Sequence, residues 1–128
     1  MTAVINTGNA GDVHFIDEDF WDSDACYCLR AKDTNIVDDK YIYYNLLCNN
    51  KYLYDNVRRS AMPTLSADAI LDMEIILPPL SIQHKISSIL SAYDSLILAT
   101  DDKSSNLRLA KQQLMNNIFS ERERVTVI

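Results

Sequence analysis

Three cysteines, two histidines and a cluster of carboxylates are the side chains of this 128-residue sequence whose types could support catalysis or metal binding. Cys26 and Cys28 stand one residue apart in the apolar run Ala25-Cys26-Tyr27-Cys28-Leu29, and Cys48 is isolated. An odd number so sparsely placed does not make a disulfide framework. A zinc site would need a second Cys pair or paired histidines, and His14 and His84 each stand alone. The thiols therefore read as reduced side chains of a packed interior. Asp17-Glu18-Asp19, Asp22 and Asp24 lack the Asp-x-Asp-x-Asp-Gly spacing of a calcium loop, so a solvated acidic turn is expected and no metal. No glycine-rich loop runs into Lys-Ser/Thr, and no histidine is placed to activate a Cys or Ser. These residues predict a protein that is not an enzyme and takes no cofactor.

The bulk properties agree with an ordinary folded chain. Hydrophobic residues make up 48% and charged residues 23%, with only two glycines and three prolines, which excludes collagen-like and low-complexity architectures. The net charge of −6 is unusual for a nucleic-acid binder, but it is unevenly placed. Residues 1–39 carry net −7, whereas residues 40–128 carry net +1. No apolar run approaches the roughly 18–20 residues of a membrane span. The start, Met1-Thr2-Ala3-Val4, lacks the basic and apolar regions of a signal peptide, so a cytoplasmic location without membrane contact is expected.

The elements that must position any site fall into two parts, predicted as 1–79 and 80–128. Ala3–Ile5 and Val13–Ile16 are β-prone runs around a turn-rich stretch, Asn6-Thr7-Gly8-Asn9-Ala10-Gly11, which holds both glycines. Cys26–Leu29 reads as a third strand. Asp38 or Asp39 can cap a helix over Tyr41–Cys48, with Asn49-Asn50 as its stop. Ser66 can cap a short helix over Ala67–Leu71, and Met73–Leu77 reads as a buried strand. Pro78-Pro79 ends this part sharply.

Beyond the prolines, Ile86, Leu90, Tyr93, Ile97, Thr100, Ser104, Leu107, Lys111, Leu114 and Ile118 fall at alternating four- and three-residue steps, with Ile89 and Leu96 widening the stripe. That is a coiled-coil seam. The fold class expected is α+β: a small, mixed, β-rich globular domain followed by one long C-terminal helix of coiled-coil type. From Ser81 to Glu121 such a helix would run roughly 60 Å. Such a stripe is usually core packing within one chain. A globule of eighty residues is too small to cover all of it, so the length tips the expectation toward a partner helix. The polar positions Thr100, Ser104 and Lys111 would set its register or mark a less tightly packed middle.

The stretch from Ile75 to Ile97 resembles the junction of target-recognition domain and spacer helix in specificity subunits of type I restriction–modification systems. The match rests on Pro78, Pro79, Leu80, Gln83, Lys85, Ile86, Leu90, Asp94 and Ile97, and departs at Ile82, where the family usually has Glu. Upstream, Val4–Val13 is similar to the family's strand–Gly-x-x-Gly–strand hairpin, Asp19–Ala25 to the segment after it, and Arg58–Ser66 to the loop before the short helix and final strand. The chain looks like the C-terminal part of one recognition domain plus one helix: a truncated gene, a half-subunit remnant or a fragment.

The resemblance implies a non-catalytic subunit that places loops on double-stranded DNA, with a helix that spaces two readers and binds methyltransferase (modification) and restriction subunits. Pro78-Pro79 lie between Leu77 and Leu80, which cannot hydrogen-bond a flipped adenine, so the methyltransferase motif is absent. Arg58 and Arg59 are the leading DNA-contact candidates, since arginine engages a guanine edge or a phosphate. Asn6, Thr7 and Asn9 could read or orient a base edge, and Ser60 and Thr64 could meet phosphates. Equal weight goes to Arg58 and Arg59 as solvated charges offsetting the acidic turn, and Asn6 and Asn9 fit a plain turn. A homodimer, or pairing with another spacer helix, is expected through Ile86, Leu90, Tyr93, Ile97, Leu107, Leu114 and Ile118. The alternative is a remnant that only dimerises and no longer reads DNA.

Overall fold

The computed structural model of the chain describes residues 1–5, 9–18, 25–59, 61–99, 104–119 and 125–126. Three short strands, β1 (Thr2–Ile5), β2 (Val13–Phe15) and β3 (Cys26–Leu29), form an antiparallel sheet in the order β2-β1-β3. Ala3 of the central strand stands opposite His14 on one side and Cys28 on the other. The three runs are those that alternation and turn signals mark in the sequence. The three cysteines are half-buried and in no disulfide among the described residues.

Helix α1 (Asp39–Cys48) begins where its cap dictates. Asp38 has extended backbone, and its carboxylate accepts the Tyr41 N–H at 3.1 Å, satisfying one of the unpaired donors of the first turn. Its buried face carries Tyr41, Ile42, Tyr44, Asn45 and Leu46. Asn49 caps the other end, its backbone N–H donating to the Asn45 carbonyl. The expected stop at Asn49-Asn50 is only a joint, because α2 (Asn50–Asp55) starts at once. Locally it has only the exposed Lys51–Asp55 ion pair at 2.7 Å, four residues apart, which supports a helix by about 0.2–0.5 kcal/mol. Burial holds it: Leu53 is fully enclosed, and the Tyr52 hydroxyl donates to the Ala69 carbonyl at 2.8 Å. Helix α3 (Ala67–Leu71) lies where Ser66 predicts it, although the Ser66 hydroxyl makes no capping bond, and burial of Ala69 and Ile70 anchors it instead. The strand expected over Met73–Leu77 shrinks to β4 (Glu74–Ile75), flanked by buried Met73 and Ile76.

The α+β class stands, with a helical C-terminal part, but the single rod is two helices, α4 (Leu80–Ala99) and α5 (Ser104–Phe119). They lie side by side: Lys111 pairs with Asp94 at 2.5 Å, whereas along one continuous helix these residues would be about 25 Å apart. Strand β5 (Val125–Thr126) then pairs antiparallel with β4, Val125 opposite Ile75. The chain's own α5 therefore fills the seam that pointed to a separate helix. By sequence, Thr100-Asp101-Asp102-Lys103-Ser104 is a run of mostly weak helix formers. Thr100 and Glu121 lie outside the described residues.

Two apolar clusters result. One gathers Val4, Leu46, Leu53, Leu65, Ile70 and Ile75 between the sheet and the short helices. The other joins Tyr41 and Tyr44 of α1 to Leu90, Met115 and Phe119, with Tyr41 and Phe119 meeting edge-on at 5.5 Å between ring centres. At its rim the Tyr44 hydroxyl donates to Asp94 at 2.6 Å, and the Lys111 ammonium sits 5.4 Å over the Tyr44 ring. Burial and that carboxylate push the Tyr44 phenol well above its ordinary range. The second cluster spans the boundary expected at residue 80.

Candidate nucleic-acid interface

The loop between β1 and β2 is closed by backbone bonds that its sequence requires. The Gly11 N–H donates to the Ile5 carbonyl at 2.8 Å, the Ile5 N–H to Asp12 at 2.9 Å, and the Asp12 N–H to Asn9 at 3.2 Å. Gly11 has φ +95°, so Asn9-Ala10-Gly11-Asp12 has the features of a type II turn, with glycine at the position that needs positive φ. The ring of Tyr54, from α2, lies directly on this glycine. A Cβ at position 11 would fall 2.7 Å from Tyr54 Cδ1. The Tyr54 hydroxyl continues past the glycine to Asp12, donating to its carboxylate at 2.6 Å. That bond, with partial burial behind it, raises the phenol above its ordinary value.

Gly11→Ala is therefore doubly penalised, by backbone conformation and by collision with an aromatic ring. We expect a loss of about 1–3 kcal/mol, read as a lower urea midpoint at unchanged slope. Pairing it with Tyr54→Ala should recover the collision part and leave the conformational part.

Three residues after α2 the chain enters a second loop. Arg58 and Thr64 form an antiparallel bridge, their N–H and carbonyl groups exchanging bonds of 2.7 and 3.2 Å. The bridge fixes the backbone and leaves both arginine side chains exposed. No ion pair among the described residues includes Arg58 or Arg59, so neither neutralises a described acid. Arg59 and Pro63 line one open hollow of about 430 Å³ with Ala10, Tyr54 and Val57. The glycine turn and the arginine loop, some fifty residues apart in sequence, thus meet around Tyr54.

Of the proposed contacts, Asn9, Arg58, Arg59 and Thr64 can be placed. Asn9 is exposed at the turn, Arg59 is exposed at the hollow, Arg58 is exposed next to it in sequence, and Thr64 is half-buried in the bridge. Asn6, Thr7 and Ser60 lie outside the described residues. Tyr54 and Asp12 were not among the expected contacts. The one signal for Tyr54 was an aromatic in a polar segment a few residues before the arginine pair. Nothing local marked Asp12.

The seven seam residues separate. Leu90 is fully enclosed by its own chain, and Ile86, Leu114 and Ile118 pack against the same cluster. Tyr93, Ile97 and Leu107 are half-buried. More exposed apolar side chains lie elsewhere on the two helices, at Ile89, Leu96, Leu98 and Leu109, with Leu98 85% exposed. Among the described residues no three His, Cys, Asp or Glu side chains are grouped to hold a metal ion. No described helix is long and apolar enough to cross a membrane.

Comparison with known proteins gives one consistent result. A family profile for the type I restriction modification DNA specificity domain matches residues 2–108. A Mycoplasma pneumoniae protein described as a type I specificity subunit is 33% identical over 115 residues, which is 89% of this chain and 37% of that protein. The specificity subunit of the Methanocaldococcus jannaschii type I restriction enzyme MjaVIII is 29% identical over 113 residues, 88% of this chain and 26% of the relative. In fold, the chain is similar to the crystal structure of the S subunit of a type I restriction–modification system from M. genitalium. The TM-score is 0.70 at 22% identity, covering 77% of this chain and 26% of the other. The chain thus spans between a quarter and two fifths of the length of these proteins.

Proposed function

The chain belongs to the family of the type I restriction modification DNA specificity domain, and we propose that it acts as a non-catalytic DNA sequence-recognition component of a type I restriction–modification complex. The observation that carries this reading is the meeting of two loops around Tyr54, with Arg59 lining a hollow there and the adjacent Arg58 exposed, neither in an ion pair among the described residues. Bridged backbone holds the loop while the long cationic side chains reach outward, an arrangement suited to phosphate and base-edge contacts on duplex DNA. Asn9 and Thr64, with Asn6, Thr7 and Ser60, are proposed as further contacts.

The two parts of the chain divide the work. Residues 1–79 would meet DNA, and the helices from residue 80 onward would carry the methyltransferase and restriction subunits. Ile89, Leu96, Leu98 and Leu109 supply exposed apolar surface for such a partner or for a second helix pair. Tyr93, Ile97 and Leu107 remain partly reachable at the seam, while Leu90 would join an interface only if α5 left its place. The same exposed residues favour the second reading, an interaction module that pairs through its helices without binding DNA. Cytoplasm is the compartment proposed for either role.

The test is a titration of duplex DNA into the chain assembled with a methyltransferase subunit, at two salt concentrations. The affinity should fall steeply with salt as bound counterions are released. Absent or salt-insensitive binding overturns DNA recognition and leaves the interaction module.

A further inference from the structure

We propose that Asp12 is a base-reading residue, whose carboxylate accepts a hydrogen bond from the exocyclic amino group of cytosine in the major groove, and that Tyr54 positions it. The inference rests on the DNA-recognition reading above and adds a chemical identity for one base.

Asp12 is half-buried in the turn, and backbone bonds through its own N–H and carbonyl hold its main chain. Its Oδ1 accepts the Tyr54 hydroxyl at 2.6 Å, while no ion pair among the described residues reaches either oxygen. A carboxylate has about four acceptor sites and no donor. The tyrosine occupies one, which fixes the orientation of the group, and no hydrogen bond or ion pair among the described residues is made to Oδ2. The glycine beneath the ring makes that approach possible, since any side chain at position 11 would push the tyrosine aside.

An anionic acceptor on a DNA-facing surface is repelled by phosphates and by the acceptor edges of guanine and thymine. It gains only where the groove presents an amino group. Cytosine N4 and adenine N6 are the two candidates. Beside adenine N6 stands the N7 lone pair, which would face the second carboxylate oxygen, whereas beside cytosine N4 stands a C–H. Cytosine is therefore the matching base. Tyr54 also lines the hollow with Arg59, so a guanidinium suited to guanine and a carboxylate suited to cytosine are both carried near this one tyrosine.

The experiment compares the assembled complexes of the wild-type chain, Asp12→Asn and Tyr54→Phe on a pool of duplexes randomised over the bound site, reading the selected base at each position. The asparagine retains an oxygen for the tyrosine and presents an amide that suits adenine. We expect one position to change from cytosine to adenine, with cytosine disfavoured about tenfold relative to wild type and all other positions unchanged. Tyr54→Phe keeps the ring on Gly11, removes the hydroxyl, and should relax selection at that same position. Unaltered preferences in Asp12→Asn while the complex still selects its site would overturn the inference and leave DNA recognition intact. Failure of the wild-type complex to select any sequence would instead overturn the reading beneath it.

Discussion

Replacing Arg58 and Arg59 together by alanine should weaken duplex binding by the assembled complex about a hundredfold or more at moderate salt. Each arginine contact to a base edge is worth about 1–3 kcal/mol, and losing a phosphate contact weakens binding to all sequences alike. Fold damage does not confuse the result. Both side chains are exposed, the bridge to Thr64 uses only the backbone of Arg58, and surface substitutions of this kind usually stay within about 0.5 kcal/mol. The salt dependence tells the two contact types apart. If both arginines meet phosphates, the slope of log affinity against log salt falls by about two and base preferences persist. If one reads a guanine, the slope changes less and selection relaxes at that base pair. Unchanged affinity in the double variant would return both residues to the role of solvated charges.

The largest stability effect is expected at Gln83. This side chain is fully buried in the first turn of α4, and its carboxamide meets three backbone groups. Its oxygen accepts the Asp38 N–H at 2.9 Å, and its nitrogen donates to the carbonyls of Ile36 and Pro78, each at 2.8 Å. Alanine would leave these partners unpaired, at about 1–3 kcal/mol for a buried group, and open a cavity besides. A loss of about 3–5 kcal/mol is expected from urea denaturation, a large part of the roughly 5–15 kcal/mol of a typical domain. Gln83→Glu should fail in a diagnostic way. An ionised carboxylate cannot donate to the two carbonyls, whereas the protonated acid can donate to one. Folding thus favours the proton and raises that carboxyl group's pKa, so the variant should be most stable at low pH and weaken as pH rises through the folded-state value. A fully tolerated Gln83→Ala would mean that solvent or neighbouring groups satisfy these backbone atoms.

How much of this was visible beforehand follows from where each signal lives. Strands β1, β2 and β3 and the capped start of α1 were readable because alternation, turn residues and an Asp N-cap are local. Helix α2 was not, since Leu53 and Tyr52 stabilise it through contacts made elsewhere in the chain. The paired α4 and α5 illustrate a different limit. A seam at heptad spacing requires an apolar surface opposite it, yet periodicity does not say whether that surface comes from another molecule or from the next helix. Strand β5 is two residues long, too short to carry a pattern. At the candidate interface, exposed arginines and a glycine turn were legible as types, but the ring joining them was not. Tyr54 and Asp12 are 42 residues apart in sequence, and only folding makes them neighbours.

The apolar cluster shared by α1, α4 and α5 bears on how such proteins can exchange parts. Cutting at Pro78-Pro79 and grafting a foreign recognition segment onto these helices would separate Tyr41 and Tyr44 from Leu90, Met115 and Phe119. A functional chimera must therefore bring matching residues at the two tyrosine positions, or carry the helices along with the graft. The joint also sets angle. One residue inserted after Pro79 would turn every side chain of α4 by about 100° about its axis, taking Leu90 off the tyrosines and Gln83 off its three partners. Recombination between relatives should consequently preserve the spacing from Asp38 to Gln83 to Leu90 more strictly than the identity of the loops proposed to meet DNA.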